Sequence, residues 1–188
     1  MDEIMAAFWE NTSALRQSDI DWLRSQKIGT DAIAHDPGEY GYLLSRANVV
    51  FDDDGGAFSF ASEQPDIAAT AAYVLPVRDE DGEVVDLIAW RPKDHVIAAW
   101  RRYVTVAGLQ NVYAPRMGEA LPVYLDPLDW LRNGREGVVI ADSAGAVFAL
   151  RDAGSLAAHS RQQARHLRRA FASLNPRIIT QSARKEAA

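Results

Sequence analysis

Residues 73–92 most constrain how this 188-residue chain can fold. Two apolar runs, Tyr-Val-Leu-Pro-Val and Val-Val-Asp-Leu-Ile-Ala-Trp, flank an Asp-Gly turn at Asp81 and Gly82. This arrangement is typical of a β-hairpin, because Asp-Gly accepts the backbone angles of a tight turn while the flanking runs pair as strands. The neighbouring acids Asp79 and Glu80 are most simply turn residues as well. The segment therefore predicts a sheet nucleus without chemistry of its own.

A second hairpin is predicted over residues 48–60, where two apolar runs flank an acidic loop. The loop contains Asp52, Asp53 and Asp54, followed by two glycines. An EF-hand calcium loop needs acids at alternating positions and a glutamate at its twelfth position, and this run has neither. We expect a solvated turn that gives the molecule an acidic surface for a partner or ligand.

Two short helices joined by a glycine are predicted near the N-terminus. Ser18 and Asp21 have the spacing of a capping box for a helix that ends near Gly29, and Thr30 begins a second helix that reaches about His35. A helix, turn and helix can read DNA, but the second helix has no Arg or Lys for phosphates or base edges. We therefore expect a structural element.

Residues 121–142 are predicted to form a small βαβ unit. Its helix begins with Asp126 as N-cap and Pro127 at the first helical position, and its second strand is the nearly all-apolar run 137–142. Asp142 ends that strand, where open α/β sheets bind ligands, although an Asp before an alanine-rich run also caps a helix. Capping is the favoured role, and Asp142 remains a candidate ligand residue.

The chain closes with an amphipathic helix predicted over residues 155–175. Arg161, Arg165, Arg168 and Arg169 lie together on one face, because positions i, i+4, i+7 and i+8 stack along one side of a helix. Two interpretations stay open. The arginines either pair with the acidic N-terminal half, or they bind a polyanion.

Together these elements predict an α+β fold. Its sheet is expected to be mixed, mostly antiparallel and built on hairpins, with short helices and a long C-terminal amphipathic helix. A short helix over residues 93–100 and a strand over 103–106 should follow the main hairpin. Residues 1–176 are predicted to form a single domain, and residues 177–188 a flexible polar tail.

The net charge of −6 is distributed as a gradient along the chain. Residues 1–66 contain 13 acids and 4 bases, residues 67–151 contain 11 and 9, and residues 152–188 contain 2 and 7. Such asymmetry indicates either two ends that fold against each other or two surfaces of opposite sign for partners. A protein partner is favoured, and nucleic acid is the alternative, through the C-terminal arginines.

Composition and missing motifs narrow the functional classes. The chain has no cysteine, which excludes disulfides, thiolate metal sites and cysteine nucleophiles. No apolar run reaches the roughly 18 residues of a membrane span, and the first residues are acidic where a signal peptide is basic. We expect a cytoplasmic protein without membrane association. No histidine pair has zinc-binding spacing, and nucleotide and hydrolase motifs are absent, so no catalytic residue, metal or cofactor is predicted.

Four segments carry a resemblance to known proteins. They are the helix-glycine-helix element at residues 23–33, the hairpin Val-Leu-Pro-Val-Arg-Asp with Gly82, its end Ala-Trp-Arg-Pro at residues 89–92, and Pro-Leu-Asp-Trp-Leu with Gly-Val-Val-Ile-Ala-Asp in residues 127–142. Over residues 15–152 the chain resembles uncharacterised proteins of bacteriophages and prophages. It is also similar to the region before and into the Toprim domain of phage and plasmid primases.

The resemblance implies a scaffold without primase chemistry. Toprim primases are expected to have a glutamate just after one core strand and an Asp-x-Asp pair after another, because several acids hold Mg²⁺. Here Glu136 precedes its strand, and Asp142 stands alone. A primase zinc ribbon is excluded by the lack of cysteine.

Three functional hypotheses follow from the residues and the resemblance. The first is a non-catalytic phage or mobile-element protein that binds host or phage nucleic-acid machinery through charged surfaces, and inhibition is one form of this role. The second is a metal-dependent hydrolase or nuclease-like enzyme whose acids converge only in the fold. The third is a structural assembly domain that uses Trp90, Trp100 and Trp130 in its core or in an oligomer contact.

Overall fold

The computed structural model describes residues 3–34, 43–113, 118–172 and 177–180. These residues form helices and strands arranged in two five-stranded sheets. The helices are α1 (Glu3–Asn11), α2 (Gln17–Ser25), α3 (Thr30–Ala34), α4 (Gln110–Tyr113), α5 (Pro127–Arg132), α6 (Ser143–Ala149) and α7 (Arg161–Ala170). The strands are β1 (Ser45–Phe51), β2 (Phe58–Phe60), β3 (Thr70–Arg78), β4 (Val84–Arg91), β5 (Val96–Ala99), β6 (Val106–Ala107), β7 (Leu121–Tyr124), β8 (Val138–Ile140), β9 (Ser155–Ala158) and β10 (Arg177–Thr180).

The first sheet is antiparallel and has the strand order β2-β1-β3-β4-β5. Both predicted hairpins are confirmed, the main one as β3 and β4 and the acidic one as β1 and β2. Gly82 closes the main turn at φ 86°, an angle that glycine adopts readily. A bridge between Ala57 and Ala99 joins the two edges of the sheet, so the sheet curls and its acidic loop lies beside β5.

The second sheet has the order β10-β9-β7-β8-β6. Strands β7, β8, β9 and β10 are parallel, and β6 pairs antiparallel with β8. The predicted βαβ unit is confirmed as β7, α5 and β8, and Asp126 caps α5 by accepting the Leu128 N–H at 2.8 Å. The α+β class is therefore confirmed, with an antiparallel sheet beside a mixed one.

Two core layers hold the sheets in place. Met5 and Phe8 of α1 are buried on one face of the first sheet with Val74 and Leu87. The other face shares a core with α2, α3, α5 and part of the second sheet, and this core includes Trp90 and Trp130. These two tryptophans are thus core residues, and burial of their large apolar surface stabilises the fold.

Helices α6 and α7 cover the opposite face of the second sheet. Ala146 and Leu150 at α6, and Ala164, Leu167 and Phe171 at α7, are buried together against its strands. The C-terminal amphipathic helix is thereby confirmed. None of the helices in the described part of the chain is long and apolar enough to cross a membrane.

Three predicted elements differ from the structure. The C-terminal helix begins at Arg161 rather than residue 155, because residues 155–158 form β9 between β7 and β10, where parallel strands are buried. The predicted helix over 93–100 was wrong, because Val96–Ala99 pairs with β4 as β5. The predicted strand over 103–106 is instead the two-residue strand β6.

Two further boundaries, the start of α2 and the start of the C-terminal tail, also differ from the prediction. Helix α2 begins at Gln17, and the carboxylate of Asp19, not Asp21, accepts the backbone N–H of Arg16 at 2.8 Å. Within the range predicted as a polar tail, Arg177–Thr180 pairs with β9 as β10. His35 and residues 173–176 and 181–188 lie outside the described residues.

Candidate functional site

The arginine face of α7 concentrates four positive charges on one helix. Here the name denotes Arg161, Arg165, Arg168 and Arg169, all of which are exposed. Ser160 caps the helix by accepting the Gln163 N–H at 3.1 Å. The sequence predicted this clustering, and the structure brings the four side chains to the solvent side of one helix.

A buried glutamine fixes α7 to the second sheet. The Nε2 of Gln163 donates to the carbonyl of Val123 in β7 at 2.7 Å, and its Oε1 accepts the backbone N–H of His159 at 2.7 Å. Because both bonds are buried or half-buried, they hold the helix in one orientation. The arginine face is therefore presented by a rigid element, and His159 and His166 are exposed beside it.

Most of the arginine face is without ion pairs among the described residues. Among the described residues, Arg161, Arg165 and Arg169 form no ion pair. Residues 153–172 contain neither Asp nor Glu. The interpretation that these arginines pair with the acidic half of the chain thus has no support at those three positions.

The acidic loop, Asp52, Asp53 and Asp54, has the opposite character. All three are exposed, but Nη2 of Arg102 donates to Asp52 Oδ2 at 2.8 Å and to Asp54 Oδ1 at 3.1 Å. The backbone N–H of Gly56 also donates to Asp54, and this bond, followed by Arg102, lowers the pKa of Asp54 below its ordinary value. Arg102 thus pairs with two of the three carboxylates of the loop, and Asp53 has no ion pair among the described residues.

A buried carboxylate positions the arginine that pairs with the acidic loop. Asp86 is fully buried in β4 and accepts backbone N–H groups of Arg101 at 3.0 Å, Tyr103 at 2.9 Å and Val104 at 3.3 Å. Arg102 lies between these anchored residues at φ 58°. The segment 101–104 is therefore fixed, which directs Arg102 towards the acidic loop.

A cavity of about 260 Å³ lies between the acidic loop and the end of β8. Its polar lining consists of Asp54, Arg102, Thr105 and Asp142. Asp142 uses both carboxylate oxygens to cap α6, accepting the N–H of Ala144 at 3.0 Å and of the following glycine at 3.1 Å. The favoured capping role is thus confirmed, and the structure also brings two of the candidate acids, Asp54 and Asp142, to one cavity.

A histidine and an aspartate form a pair that the sequence did not predict. Nδ1 of His95 lies 2.5 Å from Asp126 Oδ2, at the end of β7, while the other oxygen of Asp126 caps α5. His95 has φ 59° and a side chain that is 67% exposed. The two residues are 31 positions apart and belong to different sheets, so the only local signal was the N-cap pattern at Asp126.

The His95 and Asp126 pair lies at a place where α/β sheets bind ligands. The connections from β7 and β9 run to opposite sides of the sheet, and ligands favour the crevice beyond the carboxyl ends of such strands. An imidazole oriented through Nδ1 can transfer a proton through Nε2. Nε2 of His95 has no hydrogen-bond partner among the described residues, so the pair by itself is an oriented base without a second catalytic group.

Neither a metal site among the described residues nor a known family is identified for this chain. In residues 3–34, 43–113, 118–172 and 177–180, no group of three or more His, Asp or Glu side chains is arranged to hold a metal ion. No protein-family model, curated protein or solved structure matches the chain.

Proposed function

We propose that this protein is a non-catalytic phage or mobile-element protein that acts on phage or host nucleic-acid machinery, and that the arginine face of α7 binds nucleic acid. The observation that carries the proposal is the exposure of four arginines on one fixed helix face, three of them without an ion pair in the described structure. Like charges at i and i+4 destabilise a helix. A phosphate backbone would relieve that repulsion and release its own counterions.

The contrast between the two charged surfaces favours a polyanion over a basic protein as partner. Arg102 already pairs with Asp52 and Asp54, which gives two of the three carboxylates of the acidic loop an internal counter-charge. In the part of the chain that the structure describes, the arginine face has no such counter-charge at Arg161, Arg165 or Arg169. An inhibitory role fits the same surface, since occupancy of a nucleic acid by this protein would exclude an enzyme that acts on it.

A mobility-shift titration at several salt concentrations tests the proposal. Each phosphate contact contributes about 0.7 to 0.9 to the slope of log affinity against log salt. Replacement of two arginines, R161Q with R165Q, should weaken binding and lower that slope by about 1.4 to 1.8. The matched control R24Q with K93Q removes two exposed positive charges elsewhere and should leave the slope unchanged.

Two outcomes would contradict the nucleic-acid assignment. The first is a wild-type protein that binds neither single-stranded nor double-stranded nucleic acid at low salt. The second is an equal loss in R161Q with R165Q and in the control, which would indicate attraction by total charge rather than by the arginine face. Co-purification of a basic host protein through the acidic loop would instead support a protein partner.

A hydrolase is the second candidate, and the shared cavity of Asp54 and Asp142 favours it. Convergence of acids from distant segments is what such an enzyme requires, because two carboxylates can hold a divalent cation for phosphodiester cleavage. The lowered pKa of Asp54 keeps it an anion near neutral pH, which suits a ligand better than a general acid. In the described part, no third acid or histidine is grouped with these two carboxylates to hold a metal ion, which weakens this candidate.

A nuclease assay with Mg²⁺ or Mn²⁺ separates the two candidates. D54N and D142N should each abolish cleavage if the cavity is catalytic, and asparagine at position 142 retains a good helix cap. D53N is the matched control, because Asp53 is exposed in the same loop but does not line the cavity. Absence of metal-dependent cleavage by the wild-type protein would rule out the hydrolase hypothesis.

A further inference from the structure

We infer that the nucleic acid bound by this protein is single-stranded and that Phe148 stacks on one of its bases. This inference rests on the proposed function and specifies the form of its ligand. It is carried by an exposed aromatic ring on the helix beside the arginine face.

Phe148 is an outlier among the phenylalanines of the chain. Of the 6 phenylalanines, it is the one exposed, with 67% of its surface accessible, and Phe8, Phe58, Phe60 and Phe171 are buried. In α6, Ala146 and Leu150 face the sheet, and a position two residues beyond Ala146 lies about 200° around the helix. The ring of Phe148 therefore points away from the core.

Phe148 and the arginine face share one surface of the molecule. Helices α6 and α7 touch each other and bury their apolar sides in the same core cluster. Both follow a parallel strand and lead into the next, so they run side by side in the same direction across the sheet. Their solvent sides, with Phe148 on one and the arginines on the other, consequently form one outer layer.

The chemistry of this layer fits a single strand better than a duplex. Single-stranded nucleic acid offers phosphates to arginines and unstacked bases to an aromatic ring, whereas duplex bases are already stacked and paired. The arginines cover about 12 Å along the helix from residue 161 to residue 169, at 1.5 Å per residue. This is a short stripe of positive charge, with an aromatic platform on the neighbouring helix. The acid that follows α6, Asp152, is paired with Arg151 at 3.1 Å.

Fluorescence anisotropy with a labelled oligothymidylate and with a duplex of equal length tests the inference. The wild-type protein should bind the single strand more tightly than the duplex. F148A should weaken single-strand binding about tenfold, the usual loss of a base-stacking side chain, and should leave duplex binding unchanged. F148W should retain the affinity, while F148L, apolar but not aromatic, should behave like F148A.

Y103A is the matched control, because Tyr103 is 71% exposed and lies in the loop between β5 and β6 rather than on α6 or α7. It should leave both affinities unchanged. Equal binding of single strand and duplex, or retention of full affinity by F148A, would overturn the inference while leaving the proposed function in place. Wild-type protein that binds no nucleic acid would overturn both.

Discussion

The acidic N-terminal half and the arginine face of α7 differ in how their charges are paired. In the N-terminal half, Arg102 pairs with the acidic loop, and Arg46 donates to Asp19 at 2.8 Å in a half-buried site. On α7, three arginines have no ion pair in the described structure. The difference teaches that the charge gradient along this chain does not reflect two ends that neutralise each other. Asp19, Asp52 and Asp54 pair with bases from the first 102 residues, and none of these pairs involves an arginine of α7.

The acids of the first half also differ in how they are held. Asp86 is bound by backbone N–H groups, Asp54 by Gly56 and Arg102, and Asp19 by Arg46 and the hydroxyl of Tyr73. Each device fixes a segment of backbone as well as a charge. Removal of these contacts should therefore cost stability, whereas removal of Arg161, Arg165 and Arg169 should not.

The largest effect is expected from D86A. The substitution leaves the backbone N–H groups of Arg101, Tyr103 and Val104 without their acceptor, and each buried unsatisfied group costs about 1 to 3 kcal/mol. We expect the free energy of unfolding to fall by about 3 to 4 kcal/mol in urea denaturation. D81A, at an exposed turn residue, is the control and should stay within about 0.5 kcal/mol of wild type. A similarly small effect of D86A would contradict its anchoring role.

The next effect should appear at alkaline pH through Tyr73. Burial, followed by the charge of Asp19, raises the pKa of Tyr73 to about 12. The folded state favours the neutral form of Tyr73. The contribution of this preference to the free energy of unfolding is complete below pH 10 and is lost as the pH rises from about 10 to 12. It amounts to about 2 kcal/mol.

Urea unfolding between pH 8 and pH 12 checks this expectation. Y73F should remove that part of the alkaline decline, because phenylalanine has no ionisable hydroxyl. Y103F replaces an exposed tyrosine and should follow the wild-type curve. An identical alkaline decline in the stability of Y73F and wild type would contradict the burial of the Tyr73 hydroxyl.

A smaller effect of opposite sign is expected on the arginine face. The triple variant R161Q, R165Q and R169Q removes repulsion between like charges and should raise the free energy of unfolding by about 0.5 kcal/mol at low salt. The gain should shrink at 0.5 M salt, where screening is strong. R46Q gives the comparison, since loss of its bond to Asp19 should destabilise. A destabilised triple variant would reveal an internal partner for α7.

The smallest effect is a change in one pKa. R102Q should raise the pKa of Asp54 towards its ordinary value, while the Gly56 N–H keeps it below that value. A lowered carboxyl pKa contributes stability that is present above the ordinary value of about 3.9 and is lost as the pH falls through the folded pKa. R102Q should therefore reduce the acid sensitivity of the loop. Carboxyl NMR titration measures the shift, and an unchanged Asp54 would assign the whole effect to Gly56.

Local patterns predicted the elements whose signals are short-range. The hairpin at Gly82, the acidic loop, the cap at Asp126 and the clustering of the α7 arginines depend on turn geometry and helical periodicity within a few residues. The start of the last helix was misplaced because an apolar run such as residues 155–158 fits a buried strand or a helix equally well. Only pairing with β7 and β10 decided it.

The candidate sites show the same division. Sequence placed Asp54 and Asp142 on separate elements, and only the packing of the two sheets brings them to one cavity. The same packing joins His95 to Asp126 across 31 positions. Contacts of this kind depend on which surfaces pack together, and a local pattern has no information about that choice.

By itself, the sequence determined the α+β class, the two hairpins, the βαβ unit and a basic face on the C-terminal helix. These properties follow from the alternation, periodicity and capping of neighbouring residues. The tertiary structure decided which charges are neutralised. It brought Arg102 to the acidic loop and left Arg161, Arg165 and Arg169 without an ion pair in the described residues, because Coulomb attraction acts over a few ångströms of space and not along the chain.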